Sequence, residues 1–309
     1  MHQIRLAKDH ELRDALGVLV ARPQTSAEEL RRQVDVLTRY AARSALSLEH
    51  CLVAERSGRI VAACLCMDAP GRTANVFLPN HVSGPDVADL VVQMLREHVR
   101  AAEGRGLRIL QSMTAPDADT DRELLKRSGF RRLTELLYLE RDARRPVAPA
   151  PRPPPPPVTW ESYSPGNREA FARVVAGTYE GSRDCAELSG VRTIDDTLAS
   201  HRATGEFDPR FWLLARNGED ALGVLLLSRL PERASTEVVY MGLLPAARGQ
   251  GYGVTLLRRA LDAAREQGST ALTLTVDVEN APARRLYGAF GFIETARREV
   301  WMRILEGSR

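Results

Sequence analysis

Lysine is nearly missing from this chain: of 43 basic residues only Lys8 and Lys126 are lysines, a bias that reflects coding composition rather than function. The formal net charge is +3, with no basic tail and no polybasic run, which is too weak a positive field to imply a nucleic-acid partner. Long hydrophobic runs are missing as well. No stretch approaches the ~20 apolar residues that cross a bilayer, and the opening Met1-His-Gln-Ile-Arg-Leu6 lacks the apolar core of a signal peptide. The expected location is therefore cytoplasmic, with no membrane partner.

Cysteine and histidine are equally scarce. The four cysteines, Cys51, Cys64, Cys66 and Cys185, are too few and scattered for a disulfide framework. Cys64 and Cys66 alternate onto one face of an apolar strand, with no second Cys-x-x-Cys and no nearby histidine, so packing is expected of them rather than metal binding. Cys185 stands between Asp184 and Glu187, which raise rather than lower a thiol pKa and argue against a nucleophile. His201 is the only histidine after residue 158, which leaves that half without a His-metal site or a Ser-His or Cys-His pair. No metal is expected.

What is present is an ordinary globular composition, 44% hydrophobic and 27% charged over 309 residues, enough for two domains that each bury a core. The boundary falls at Pro146–Pro157, where eight of twelve residues are proline. Such a run extends about 3.1 Å per residue and could hold two bodies up to about 35 Å apart. A spacer is the expected role, with a PxxP ligand as the alternative. The flanks of this spacer resemble each other. Cys51–Cys66 lies over Trp212–Leu227 at an offset of 161, both reading as hairpins around Ser57-Gly58 or Asn217-Gly218. At an offset of 162, Asp89–Arg96 lies over Gly251–Arg258, and Gly129-Phe130 over Gly291-Phe292. An offset so constant argues for a duplicated fold.

The second copy carries the chemistry, in Glu237–Phe292. There Leu244-Pro-Ala-Ala-Arg248-Gly-Gln-Gly251-Tyr-Gly253 runs directly into a helical pattern with Val254, Leu257 and Leu261 on its apolar side. Small residues at a helix entry let a ligand approach the main chain, and the unpaired N–H groups and dipole of the first turn favour phosphate. The pattern is neither a GKS/GKT nucleotide loop nor a GxGxxG dinucleotide turn.

Arg248-x-x-Gly251-x-Gly253 resembles the [RQ]xxGx[GA] acetyl-CoA signature of the GNAT superfamily of N-acetyltransferases. Its neighbours have the order of that family: Glu237–Pro245 is like the fourth GNAT strand and Leu272–Asn280 like the fifth. Asn280-Ala-Pro-Ala-Arg-Arg-Leu-Tyr287-Gly-Ala-Phe-Gly291-Phe292 is similar to the family's N-x-x-A-x-x-L-Y-x-x-x-G-F ending. The resemblance implies an α/β (α+β) class, with two tandem GNAT-type domains, each a mixed, mostly antiparallel twisted sheet flanked by helices. These are expected at 1–145 and 158–309, joined by the linker 146–157. In register, Arg248 is matched by Asp86, Gly251 by Asp89, Gly253 by Val91, Glu237 by Asn75, Asn280 by Ala118 and Tyr287 by Leu125. Carboxylates near a helix start repel a pyrophosphate, so the first copy reads as catalytically degenerate.

For the second copy the resemblance implies transfer of an acetyl group from acetyl-CoA, the co-substrate, to a primary amine by direct attack in a ternary complex. Arg248, Gly249, Gln250, Gly251, Tyr252, Gly253 and Val254 would hold the pyrophosphate. Met241, Gly242 and Leu243 would offer main-chain groups to the pantetheine and thioester, with Asn280 bonding the pantetheine arm or main chain. An attacking amine must be neutral, so a carboxylate that takes its proton speeds the step. Glu237, eleven residues before Arg248, is the candidate general base; an exposed strand-end glutamate is the alternative. Tyr287 is the candidate acid for the departing thiolate, against a tyrosine that merely packs.

Residues 178–208 are the expected acceptor side. Glu180, Asp184, Glu187, Asp195 and Asp196 would suit a cationic amine if they line a pocket, or a solvated loop if not. The tandem layout, with a degenerate first copy, is also similar to that of the mycothiol synthase family, which acetylates a cysteinyl amine on a sugar-inositol. Small-molecule or peptide amines all remain open as acceptors, including protein N-termini, polyamines and aminoglycosides. The functional alternative is a non-catalytic acyl-CoA-binding sensor or scaffold.

Overall fold

The computed structural model describes residues 2–43, 46–146, 157–182 and 191–305. It divides into two compact units: Met1–Leu133 with Glu299–Arg309, and Thr134–Arg298.

The first unit contains β1 (His2–Leu6), α1 (Leu12–Val20), α2 (Ala27–Arg43), β2 (Cys51–Arg56), β3 (Arg59–Ala69), β4 (Thr73–Phe77), α3 (Pro85–Gly104), β5 (Ile109–Thr114) and α4 (Asp119–Arg127). Antiparallel pairs β1-β2, β2-β3 and β3-β4 lead to a parallel β4-β5 pair. The turn between β2 and β3 is left-handed at both Ser57 and Gly58, with φ of 50° and 75°, the conformation a two-residue hairpin needs. Both sheet faces are covered. Leu90, Val91, Met94 and Leu95 of α3 pack on the face that carries Ala62, Cys64 and Cys66, and Leu16 and Leu19 of α1 on the face that carries Cys51, Val53 and Leu65. Cys64 and Cys66 do share one buried face, and burial pushes the Cys66 thiol up to about 11, so it is an inert core group.

After β6 (Arg131–Asp142) the second copy repeats this plan in sequence with β7 (Thr159–Ser162), α5 (Arg168–Tyr179), α6 (Ile194–Arg202), β8 (Glu206–Asn217), β9 (Asp220–Leu230), β10 (Ser235–Leu243), α7 (Tyr252–Glu266), β11 (Ala271–Asp277), α8 (Ala281–Ala289) and β12 (Ile293–Ile304). Strands β7 to β10 are antiparallel and β10-β11 parallel. Along β9, Leu225 and Leu227 join the core under α7, while Val224 and Leu226 join the core under α5 and α6. A strand buried on both faces therefore reads as a continuous apolar run.

The compact units are not the halves on either side of the proline run. Leu136–Asp142 of β6 pairs antiparallel with β11 in the second unit, and Glu299–Ile304 of β12 pairs with β5 in the first. Each copy's closing strand completes the other copy's sheet, so neither 1–145 nor 158–309 holds a whole sheet. Most of the expected linker lies outside the described residues.

Buried Glu299 anchors the β12 exchange. It accepts from Arg122 Nε at 2.9 Å, Arg132 Nε at 2.9 Å and Trp301 Nε1 at 3.3 Å. Burial pushes its carboxyl up, but the two guanidinium partners win and hold it below the ordinary range. Its repeat counterpart, Leu137, is a buried member of the second unit's apolar core.

Candidate active site

The parallel pairing of β10 with β11 runs from Ser235↔Ala271 to Val238↔Leu274 and stops, although both strands continue. Beyond that rung the two strands border a cleft of about 620 Å³, lined by residues 238–243 on one side and Leu274, Thr275 and Val276 on the other. A bulge falls at the same point of β10. The register of β10 on β9 shifts between Val238↔Leu227 and Tyr240↔Leu226, so Val239 is an extra residue. A bulge bends its strand and reverses the side-chain alternation after it. Val238 faces the core under α7, and Tyr240, two residues on, faces the opposite core with α5 and α6.

The floor of the cleft is the entry to α7. Gly249 and Gly251 have φ of 75° and 90°, left-handed conformations that side chains strain to adopt. No side chain caps α7 at Gly251, so the donors of its first turn are not spent on a cap. Gly253 brings the helix close to α8: a Cβ there would lie 3.2 Å from Leu286 Cδ2. Small, bare and dipolar, this entry suits a pyrophosphate. Arg248 donates from Nε to Leu243 O at 3.1 Å and from Nη2 to Thr178 O at 2.9 Å, tying the end of β10 to the end of α5.

Met241, Gly242, Leu243, Arg248, Gly249, Gly251, Gly253, Val254, Asn280 and Tyr287 all line this one cleft. Gln250 and Tyr252 do not. Gln250 donates to Ala246 O at 2.5 Å, and the Tyr252 ring packs among Ala215, Leu222 and Leu256. Asn280 caps α8, its side chain accepting from Ala283 N at 3.3 Å. Tyr287 is buried, with its ring 5.7 Å from that of Phe292. Glu237 stands one rung below the divergence, paired with Thr273 and Ser228, and is not among the residues lining the cleft. It is half-buried, and burial raises its carboxyl above the ordinary range while Arg233 pulls the other way.

Behind Tyr240, which lines the cleft, lies an aromatic cluster that sequence reasoning missed. His201 of α6 stacks on Tyr240 at 5.2 Å and 22°, and Tyr179 packs against Tyr240 at 5.3 Å. Thr178 donates to Val175 O at 2.6 Å, which makes the Tyr240 hydroxyl the donor in its 2.8 Å bond to Thr178. Burial, with Arg192 nearby, pushes His201 down to about 4, so its ring is neutral at pH 7. Counting by twos from Val238 sends Tyr240 to the wrong face, and only the bulge brings the three rings together. Of the acidic residues expected here, Asp195 and Asp196 serve the scaffold. Asp195 pairs with Arg168 at 2.5 Å on the surface, and Asp196 closes the capping box of α6 with Thr193. Asp184, Cys185 and Glu187 lie outside the described residues. Among the described residues no group of His, Cys, Asp and Glu could hold a metal, and no helix is long and apolar enough to cross a membrane.

Residues 178–292 match the acetyltransferase (GNAT) family. The chain is 29% identical over 258 residues to the mycothiol acetyltransferase of Beutenbergia cavernae, covering 75% of this chain and 84% of that protein. The mycothiol acetyltransferase of Actinosynnema mirum is 33% identical over 181 residues, 57% of this chain and 58% of its own length. An uncharacterized N-acetyltransferase of Bacillus subtilis, YycN, is 38% identical over 128 residues, 41% of this chain and 80% of its own length. Among solved structures, a GCN5-related N-acetyltransferase from Sphaerobacter thermophilus superposes with a TM-score of 0.64 at 18% identity, over 99% of this chain and 97% of that one. A tandem GNAT protein from the clavulanic acid biosynthesis pathway superposes with a TM-score of 0.54 at 15% identity, over 100% of both. At such identities the structural likeness is one of fold.

Proposed function

The chain belongs to the GNAT family of acetyltransferases and is an N-acetyltransferase, and from that premise we propose that its second unit moves an acetyl group from acetyl-CoA to a primary amine by direct attack. The observation that carries this reading is the divergence of β10 from β11 directly above Glu237, with the uncapped glycine entry of α7 on its floor and Tyr287 in its wall. The N–H groups at Gly249–Val254 hold the pyrophosphate, and the main chain of Met241–Leu243 meets the pantetheine amides. Arg248 already spends two donors on main-chain carbonyls, so its first task is to hold the cradle's shape.

Glu237 takes the proton of the attacking amine. Because it stands one rung below the cleft, the transfer runs through water. Its raised pKa brings the carboxylate nearer to an amine in proton affinity than an exposed glutamate would be. Tyr287 gives its proton to the sulfur as the thioester bond breaks, and Asn280 fixes the start of the helix that carries it. The Tyr240–His201–Tyr179 cluster forms the acceptor side. The acceptor is a small amine, and the relatives named above make the cysteinyl amine of a sugar-inositol the first to test.

A panel of primary amines that includes that compound, assayed for release of the CoA thiol, tests the reading. Tyr287→Phe is expected to lower turnover about tenfold or more with little change in acetyl-CoA affinity. Unchanged turnover, with chemistry rate-limiting, would remove Tyr287 from the mechanism.

A further inference from the structure

A second depression, of about 370 Å³, lies in the first unit, where α3, the end of α4 and β12 meet. Four guanidinium groups border it: Arg96 and Arg100 from α3, Arg127 from α4 and Arg303 from β12. Glu103 is the one carboxylate among its lining residues. Arg127 is paired with Asp89 at 2.5 Å. Arg96 donates to Arg127 O, at the end of α4, at 2.8 Å and Arg303 to Gly129 O, just past it, at 3.2 Å, so each spends one of five donors there. Arg100 makes no hydrogen bond or ion pair among the described residues.

The negative end of the α4 dipole offsets only about half a charge. A positive surplus therefore stays on one concave surface, with most guanidinium donors unspent. Capping α4 accounts for Arg96 and Arg303 in part but gives Arg100 no role. In the second unit two of the four matching positions are also arginine, Arg258 for Arg96 and Arg141 for Arg303, and the other two are not. Arg100 corresponds to Asp262, which pairs with Arg265 at 2.8 Å, and Arg127 corresponds to Ala289.

We propose that this groove binds a phosphate-bearing anion, with Arg100 and Arg303 as its principal ligands. Planar guanidinium forks match phosphate oxygens in pairs, and convergence from two helices and a strand supplies donors from several directions. Dianionic phosphate is favoured over carboxylate because the surplus exceeds one charge. The site shares no lining residue with the acetyl-transfer cleft and does not depend on that assignment.

Inorganic pyrophosphate is titrated calorimetrically into the full chain, into Gly251→Asp, whose α7 entry is blocked, and into the Arg100→Glu/Arg303→Glu double variant made in that Gly251→Asp background, so that only the groove can bind. Binding is expected in the full chain and in Gly251→Asp, weakening as ionic strength rises. The double charge reversal should lower affinity by at least about tenfold, on the scale of charge-assisted hydrogen bonds. Both arginines are exposed, so its melting temperature should match the parent's; if it fails to fold, Arg100→Gln/Arg303→Gln replaces it with the same expectation. No binding to the full chain, binding retained by the double variant, or binding lost in Gly251→Asp would each overturn the proposal.

Discussion

Position 75 and position 237 are the same place in a fold used twice, and the chain fills them with different side chains. In the second unit Glu237 sits beside Thr273, and one rung later the parallel pair opens. In the first unit Asn75 sits beside Gln111, and Gln111 donates across the pair to Asn75 at 2.7 Å; β4 ends two residues later, at Phe77. The helix entries differ as sharply. Helix α3 begins at Pro85 and α7 at Tyr252, while their ends keep the offset of 162. With 20 residues against 15, α3 is five residues longer, and its added turn occupies the register of the glycine-rich entry. Asp89 is therefore not at a helix start, as its register suggests, but in the second turn, tied to Arg127. Leu125 stands fully buried where Tyr287 lines the cleft. The residues at a cleft can differ between two copies while the scaffold persists, because strands and helices answer to core packing and the cleft does not.

Importing the first copy's residue at the α7 entry should have the largest effect. Gly251→Asp places a strained side chain and a negative charge at φ 90°, and acetyl-CoA affinity is expected to fall by ~10³ or more. Calorimetry measures it, and affinity within about tenfold of the parent would break the contrast between the copies. Because the units exchange closing strands, this test belongs on the full chain and not on halves cut in the proline run.

Next comes Glu237→Gln, expected to lower turnover by ~10² to 10⁴ with acetyl-CoA affinity nearly intact. Burial raises the Glu237 pKa, so as pH falls its carboxylate is protonated early and can no longer take the amine proton. The acid limb of the pH-rate profile should lie above the ordinary carboxylate range and vanish in the variant. An unchanged profile would return Glu237 to a strand-end residue like Asn75.

Glu299→Leu gives β12 the side chain that β6 carries at the matching position. Removing one partner from a fully buried ion pair costs about 3–5 kcal/mol. Arg122 and Arg132 keep some access to water, so a loss nearer 2 kcal/mol is expected from urea unfolding. Glu299 is held below its unfolded pKa, so its contribution is present above the ordinary carboxylate range and lost as pH falls through the lower folded value. A variant as stable as the parent at neutral pH would show that the apolar strand serves either sheet.

The smallest expected effect compares His98, which is buried, with His201, which is partly buried, one per unit. Burial pushes His98 and His201 each down to about 4, so both fold neutral. Between the ordinary histidine pKa of about 6.5 and 4 the unfolded chain binds the extra protons, and stability falls as pH drops through that window. His201→Phe should flatten the second unit's share, read from melting temperatures at pH 7 and pH 5. An unaltered slope would mean that His201 is charged in the fold.

Much of this was legible along the chain. The offset of 162 carries α4 onto α8 and β6 onto β12 residue for residue, because each repeat keeps the apolar spacing its core requires. The start of α7 at the glycines was equally readable, since Gly249 and Gly251 tolerate backbone angles other residues avoid. Ser164 and Pro165 predict a helix from Pro165, but a 3₁₀ turn covers Pro165–Asn167 and α5 begins at Arg168. Local spacing cannot separate those two kinds of turn.

The sequence by itself determined the duplication, the family's cofactor motif and which copy retains it, since those rest on residue identity and short-range backbone preference. Only the tertiary structure decided that the closing strands are exchanged, because either sheet accepts an apolar strand and the choice rests on where Glu299 finds two arginines. It also decided that Tyr240 meets Tyr179 and His201. One extra residue at Val239 reverses every later side chain on the strand, and a bulge is a property of pairing that no single strand records.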